Sequence, residues 1–119
     1  MLEATNETPE VIFDPTNNKF FIGKRSLPEN PRLFYDQVIE WVKVYALSPN
    51  PETKFEFQLE YINTSSSKQI MKIISELLMI PKKGKLSICW YYKQIDEDMR
   101  TLGERFGNLA NFSFDIIGY

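Results

Sequence analysis

The run Asn63-Thr64-Ser65-Ser66-Ser67-Lys68 places four hydroxyls in succession. An alternating segment precedes it and a helically spaced one follows, so the hydroxyls fall where a strand ends and a helix begins. A helix start carries unpaired N–H groups and a partial positive charge. Two chemistries suit such a place. One is plain capping, for which Ser and Thr are good residues. The other is acceptance of a phosphate, which adds about −1.5 to −2 charges at neutral pH and which a helix start stabilises. Lys68 would lie about one turn further in. Residue types alone leave both readings open.

The acids also come in groups. Glu56 and Glu60 share one face of the alternating segment, Asp96-Glu97-Asp98 opens a helix, and Asp14 ends an apolar run. Paired carboxylates serve acid–base chemistry or Mg²⁺. They equally make a wet strand face and a helix start matched to its dipole. Arg25, in Gly23-Lys24-Arg25-Ser26, is able to pair with a carboxylate or phosphate, or to be a loop cation. Lys82, Lys83 and Lys85 form a basic turn too small for a nucleic-acid site. Trp90-Tyr91-Tyr92 reads as a core strand or as a stacking surface. Cys89 reads as a small buried hydrophobe, since nothing beside it in sequence favours a thiolate.

Composition removes whole classes of function. The 119 residues contain no histidine, which excludes Ser-His-Asp and Cys-His machinery and imidazole metal sites. A single cysteine excludes an internal disulfide and multi-cysteine metal centres. The five glycines are scattered and form no phosphate loop. Lys+Arg number 14 against 16 Asp+Glu, a net charge of −2, which argues against a nucleic-acid partner. No apolar run approaches the ~20 residues of a membrane span, and the polar first nine residues do not look like a secretory signal. A cytoplasmic protein without membrane contact or cofactor is expected. The organisation expected is a flexible N-terminus over residues 1–8 and one domain over residues 9–119.

The elements follow from periodicity. Val11-Ile12-Phe13 and Lys19-Phe20-Phe21-Ile22-Gly23 flank turn residues and read as a hairpin. Asn30-Pro31 starts a helix with Phe34, Val38, Trp41 and Tyr45 on one stripe, widened by Val42. Phe55, Phe57, Leu59 and Tyr61 alternate as a strand. Residues 68–80 form a helix with Ile70, Ile74, Leu77 and Leu78 on one face. Leu86 to Tyr92 is a strand. Met99, Leu102, Phe106 and Leu109 mark the third helix, and residues 112–117 the last strand. The order β-β-α-β-α-β-α-β implies an α/β fold with a mixed sheet covered by helices.

Four segments then carry a resemblance. They are Thr8-Pro9-Glu10-Val11 with Phe13-Asp14-Pro15; Gly23-Lys24-Arg25-Ser26-Leu27-Pro28-Glu29-Asn30; Tyr61-Ile62-Asn63-Thr64-Ser65-Ser66-Ser67-Lys68; and Trp90-Tyr91-Tyr92 with Asp96-Glu97-Asp98-Met99. In combination they resemble the SiaC family of bacterial regulatory phosphoproteins, from about Thr8 to the end. The resemblance implies a STAS-like fold, similar to anti-sigma-factor antagonists. It implies phosphorylation of the threonine in Asn-Thr-Ser-Ser, here Thr64, by a Ser/Thr protein kinase, with reversal by a PP2C-like phosphatase. It further implies that the unmodified form binds and activates a GGDEF diguanylate cyclase, raising cyclic-di-GMP and favouring biofilm.

Anti-sigma-factor antagonists usually carry Asp-Ser-x-Gly at this junction. Here Asn63 replaces the acid and no glycine follows, so Thr64 is chosen on the SiaC-type match and Ser65 is the runner-up. Asn63, Ser65, Ser66 and Lys68 would surround the phosphate, while Arg25, Glu29, Asn30 and Tyr61 would meet a partner. Two other readings stay open beside this one. One is a constitutive adaptor in which the hydroxyls only cap a helix. The other is a small enzyme using the carboxylates with Mg²⁺.

Overall fold

Asp14-Pro15-Thr16-Asn17-Asn18 folds the first two strands onto each other. The structure, a computed structural model, describes all residues from Met1 to Tyr119. Strands β1 (Glu10–Asp14) and β2 (Lys19–Ser26) pair antiparallel, closing with Asp14 opposite Lys19. The Asp14 carboxylate accepts hydrogen bonds from the Asn17 side chain at 2.7 Å and backbone N–H at 3.3 Å. Those bonds, the side-chain one foremost, hold its pKa below the ordinary value. Asn18 takes the left-handed conformation at φ 53°, which asparagine tolerates.

Helices and parallel strands then alternate. Helix α1 (Pro31–Leu47) leads to β3 (Glu52–Ile62) and α2 (Thr64–Leu77). A 3-10 turn (Ile80–Lys82), β4 (Lys85–Tyr92), α3 (Glu97–Ala110) and β5 (Asp115–Gly118) complete the chain. The sheet order is β1-β2-β3-β4-β5, with β2/β3, β3/β4 and β4/β5 parallel. This is the mixed α/β sheet and the element order expected.

Alternation fixes which face is covered. Val11, Phe20, Ile22, Phe55, Phe57, Leu59, Ile88 and Trp90 join one buried cluster. Tyr35, Val38 and Val42 of α1, Ile70, Ile73, Ile74 and Leu77 of α2, and Met99 and Phe106 of α3 complete it. All three helices therefore cover the same face. The alternate positions, such as Glu56, Gln58 and Tyr91, lie on the other face and are only half-buried. Trp90 is central: its ring stands 5.5 Å from Phe57 and 5.4 Å from Phe106, and its Nε1–H donates to the Met99 carbonyl at 2.9 Å. Gly103 lies against that ring so closely that a Cβ would come within 2.4 Å of it.

Some boundaries and faces differ from the sequence reading. In α1 the stripe is rotated: Tyr35 is fully buried, whereas Phe34 and Trp41 are half-buried. Polar capability had disguised Tyr35, whose hydroxyl has a buried partner in Ser26. Helix α2 begins four residues early, at Thr64, because Asn63 caps it. Leu109 is 65 % exposed, because it faces the open space between α2 and α3 rather than the core. Phe112 and Phe114 precede the final strand, and only Asp115–Gly118 pairs with β4. Ahead of it, Asn111 stops α3 in the left-handed conformation.

Residues 1–8, expected to be flexible, make backbone contacts with the domain. Leu2 exchanges hydrogen bonds with Val11 at 2.8 and 2.9 Å, and the Glu7 carbonyl accepts from Leu27 N–H at 2.8 Å.

Candidate functional site

Because β2, β3 and β4 run parallel, the helix after each starts at the same edge of the sheet. Ligand sites of open α/β sheets gather at this carboxyl edge. Each of the three helices has its own side-chain cap. Asn30 Oδ1 accepts from Leu33 N–H at 3.2 Å, Asn63 Oδ1 from Ser66 N–H at 2.9 Å, and Asp96 Oδ1 from Met99 N–H at 3.0 Å.

The four hydroxyls of the α2 start separate by burial. Thr64 is the first residue of the helix and is exposed, as is Ser65. Ser66 is fully buried and its hydroxyl has no hydrogen-bond partner. Ser67 is half-buried and donates to the Asn63 carbonyl at 3.4 Å. Thr64 and Ser65 are therefore open to solvent and Ser66 is not. Lys68 is exposed one turn along from Thr64.

Arg25 and Tyr61 meet beside this start. The β2/β3 register shifts between Lys24 and Arg25, so that Lys24 faces Leu59 while Arg25 faces Tyr61. Lys24 accommodates the irregularity at φ 72°. A bulge disturbs the alternation of side chains. Tyr61 thus leaves the core series and is 47 % exposed, with the Arg25 guanidinium 5.8 Å from its ring centroid. Behind them, the Ser26 carbonyl accepts from Asn63 N–H at 3.0 Å and the Ser26 hydroxyl bonds that of Tyr35. Burial pushes the Tyr35 pKa to about 12. These bonds fix the end of β2 to the α2 cap. Glu29 and Asn30 are exposed in the loop and cap before α1.

A groove of about 590 Å³ separates α2 from α3. Thr64, Lys68 and Met71 line one wall at helical spacing, and Asp98, Leu102, Arg105 and Leu109 line the other. Sequence reading missed Arg105 as a functional candidate. Its spacing from Asp98 and Leu109 could have flagged it, but only once α3 is known to lie beside α2.

Several of the remaining candidates have structural partners. Asp96 is a cap, Glu60 pairs with Lys93 at 3.7 Å, and no three acids come together where a metal ion could be held. Lys83 Nζ donates to the Leu47 carbonyl at 2.8 Å. Cys89 is buried and lies 3.9 Å from Asp115 Oδ2, and burial raises its thiol pKa.

Fold and edge together define a small α/β domain whose accessible chemistry at that edge is hydroxyl, cation and apolar groove. Residues 2–119 match the SiaC family regulatory phosphoproteins, and the chain belongs to that family. An uncharacterised protein of Pseudomonas aeruginosa is 29% identical over 116 residues, covering 97% of this chain and 92% of the relative. The fold is similar to SiaC of Pseudomonas aeruginosa crystallised with the diguanylate cyclase SiaD, whose activator it is. That match has TM-score 0.88 and 28% identity over 98% of this chain and 96% of the other. Apo-SiaC of the same organism matches with TM-score 0.83 and 26% identity, over 98% and 94% of the chains. No helix of the structure is long and apolar enough to cross a membrane.

Proposed function

We propose that this chain is a non-enzymatic signalling phosphoprotein that binds and regulates a GGDEF diguanylate cyclase when Thr64 is unmodified. A Ser/Thr kinase adds the phosphate and a PP2C-like phosphatase removes it, which places the chain in cyclic-di-GMP and biofilm control. The observation that carries this reading is the likeness, over nearly the whole chain, to an activator crystallised on its cyclase.

Two local features support Thr64 as the switch. It is exposed at the helix start, and it is not needed as a cap because Asn63 already fills that role. A phosphate adds about −1.5 to −2 charges there without requiring any refolding. Two charges about 5 Å from one partner carboxylate, at a dielectric between bulk water and a protein surface, cost roughly 3 kcal/mol. That is about a hundredfold in affinity. Arg25, Glu29, Asn30 and Tyr61 contribute to the partner surface at the same edge.

The test is phosphopeptide mass spectrometry on protein from its native host, followed by pull-down with unmodified, phosphorylated and Thr64→Ala protein. Phosphate on Thr64, with cyclase captured by the unmodified and Thr64→Ala forms only, is expected. Phosphate on Ser65 instead would move the switch by one residue. Absence of phosphate across growth conditions, with the cyclase still captured, would make the chain a constitutive adaptor.

A further inference from the structure

We infer that a second copy of this chain packs on the outer face of α1, the two α1 helices lying antiparallel about a two-fold axis. Self-association of this kind is independent of the cyclase reading above.

The outer face of α1 is apolar where water favours polar residues. Leu33, Val44 and Leu47 are 74 %, 57 % and 68 % exposed. Val44 lies about three turns beyond Leu33, and Leu47 follows about one turn later, so the three share one stripe. Tyr35, Val38, Val42 and Tyr45 occupy the opposite, core side of the same helix. Single exposed apolar residues are ordinary. Three in line on one helix give another helix a place to pack. Beside the stripe lies an apolar notch of about 400 Å³, lined by Met1, Phe13, Trp41, Val44 and Tyr45. Val44 belongs to both, so stripe and notch form one continuous surface.

Charge selects a second copy as the occupant. Along the stripe the acids Asp36 and Glu40 come first and Lys43 follows, all exposed. The ion pairs of the molecule are Lys93 with Glu60 and Arg100 with Glu104, so none of these three belongs to one. A two-fold axis sets a patch against itself and each flank of a helix against the same flank of its copy. Matching the apolar ends of the stripe places Leu33 against Leu47 of the second copy. Lys43 then falls between Asp36 and Glu40 of the second copy. Arg32 falls beside the second copy's Ser48, the C-cap, where the helix dipole is negative. Parallel packing would instead stack Asp36 on Asp36 and Lys43 on Lys43. One contact opposes the antiparallel arrangement: the two Glu40 carboxylates meet at the axis. With 17 residues, α1 is about 26 Å long. A single helix-on-helix contact of that length belongs to the small interfaces, so the dimer dissociates on the order of tens of micromolar.

The test is sedimentation velocity on the full, unmodified chain from about 1 µM to about 1 mM, which brackets that range. Wild type is expected to pass from monomer to dimer. Leu33→Asp and Val44→Asp should each weaken the dimer by about tenfold or more. Lys43→Glu should weaken it by about fivefold, and adding Asp36→Lys to that variant should restore it to within about twofold of wild type. Glu40→Gln removes the repulsion at the axis and should tighten the dimer by about threefold. Leu109→Asp makes the same kind of change at an exposed leucine of α3 and should stay within about twofold. All these residues are exposed, so the variants should keep the wild-type circular dichroism and melt. The inference is overturned if wild type stays monomeric throughout, or if Leu33→Asp and Val44→Asp associate like wild type. It is also overturned if Leu109→Asp dissociates the dimer as strongly as Val44→Asp. An Asp36→Lys, Lys43→Glu variant no tighter than Lys43→Glu alone, or a Glu40→Gln dimer weaker than wild type, would refute the antiparallel pairing.

Discussion

Replacing Tyr35 by Phe tests the joint that holds the candidate site together. Ser26 and Tyr35 are fully buried and their hydroxyls bond each other, while the Ser26 carbonyl holds the Asn63 N–H. Phenylalanine fills the same space but leaves the Ser26 hydroxyl without this partner in the core. Such an orphaned group costs about 1–3 kcal/mol. For a chain of 119 residues, a cost near 2 kcal/mol lowers Tm by about 8 °C.

The pH dependence supplies an independent sign. Burial holds the Tyr35 pKa at about 12 in the folded state against 10.0 for the free group. The folded state thus binds this proton more tightly than the unfolded chain does. The stability it contributes is complete below pH 10 and is lost as pH rises through about 12. Two pK units correspond to roughly 2.7 kcal/mol. Tyr91, also raised to about 12, chiefly by the neighbouring Glu56 carboxylate, titrates in both proteins and cancels in the difference. Urea melts between pH 7 and 11.5 should therefore show Tyr35→Phe less stable at pH 7, with the gap closing above pH 10. The Ser26→Ala, Tyr35→Phe double variant should cost less than the sum of the singles. A variant within 0.5 kcal/mol of wild type at pH 7 would refute the reasoning, taking that value as roughly the ordinary spread of neutral substitutions. So would a gap that stays constant to pH 11.5.

Gly103→Ala should destabilise by about 1–3 kcal/mol through overpacking against Trp90, even though alanine is the better helix former. A rise in Tm would show instead that the indole moves freely. Asn63→Ala should cost about 1 kcal/mol and speed hydrogen exchange at the Ser66 amide, whose acceptor it removes. Unchanged exchange there would mean another group caps α2. Asp14→Asn should be less stable than wild type at neutral pH. Because the Asp14 pKa is lowered in the folded state, wild type should lose this advantage as pH falls below 3.8. Paired thermal melts from pH 7 to pH 2 check the sign, and a gap that widens in acid would contradict it.

Much of the fold was legible because local rules act over a few residues. Turn chemistry in Asp14-Pro15-Thr16-Asn17-Asn18 marked the hairpin, Asn30-Pro31 marked the α1 start, and the alternation at Phe55, Phe57 and Leu59 marked β3 and its buried face. Tyr61 has the same parity yet turns outward, because a register shift in pairing with β2 decides its side. Tyr35 was missed because its burial depends on Ser26, nine residues away in sequence. The resemblance carried by Arg25-Ser26-Leu27-Pro28-Glu29-Asn30 and Asn63-Thr64-Ser65-Ser66 named the family that the whole-chain comparison shows.

By itself, the sequence determined the element types, their order, the absence of imidazole chemistry and the hydroxyl run at a helix start. These depend on side-chain type and on spacing of a few residues. Tertiary structure alone decided that three helices cover one face and begin at one edge, which follows from β2, β3 and β4 being parallel. It also decided that Thr64 and Ser65 are exposed while Ser66 is buried, and that Lys68 and Arg105 share a groove. Burial and cross-helix proximity arise from contacts between residues far apart in the chain, and no local spacing encodes them.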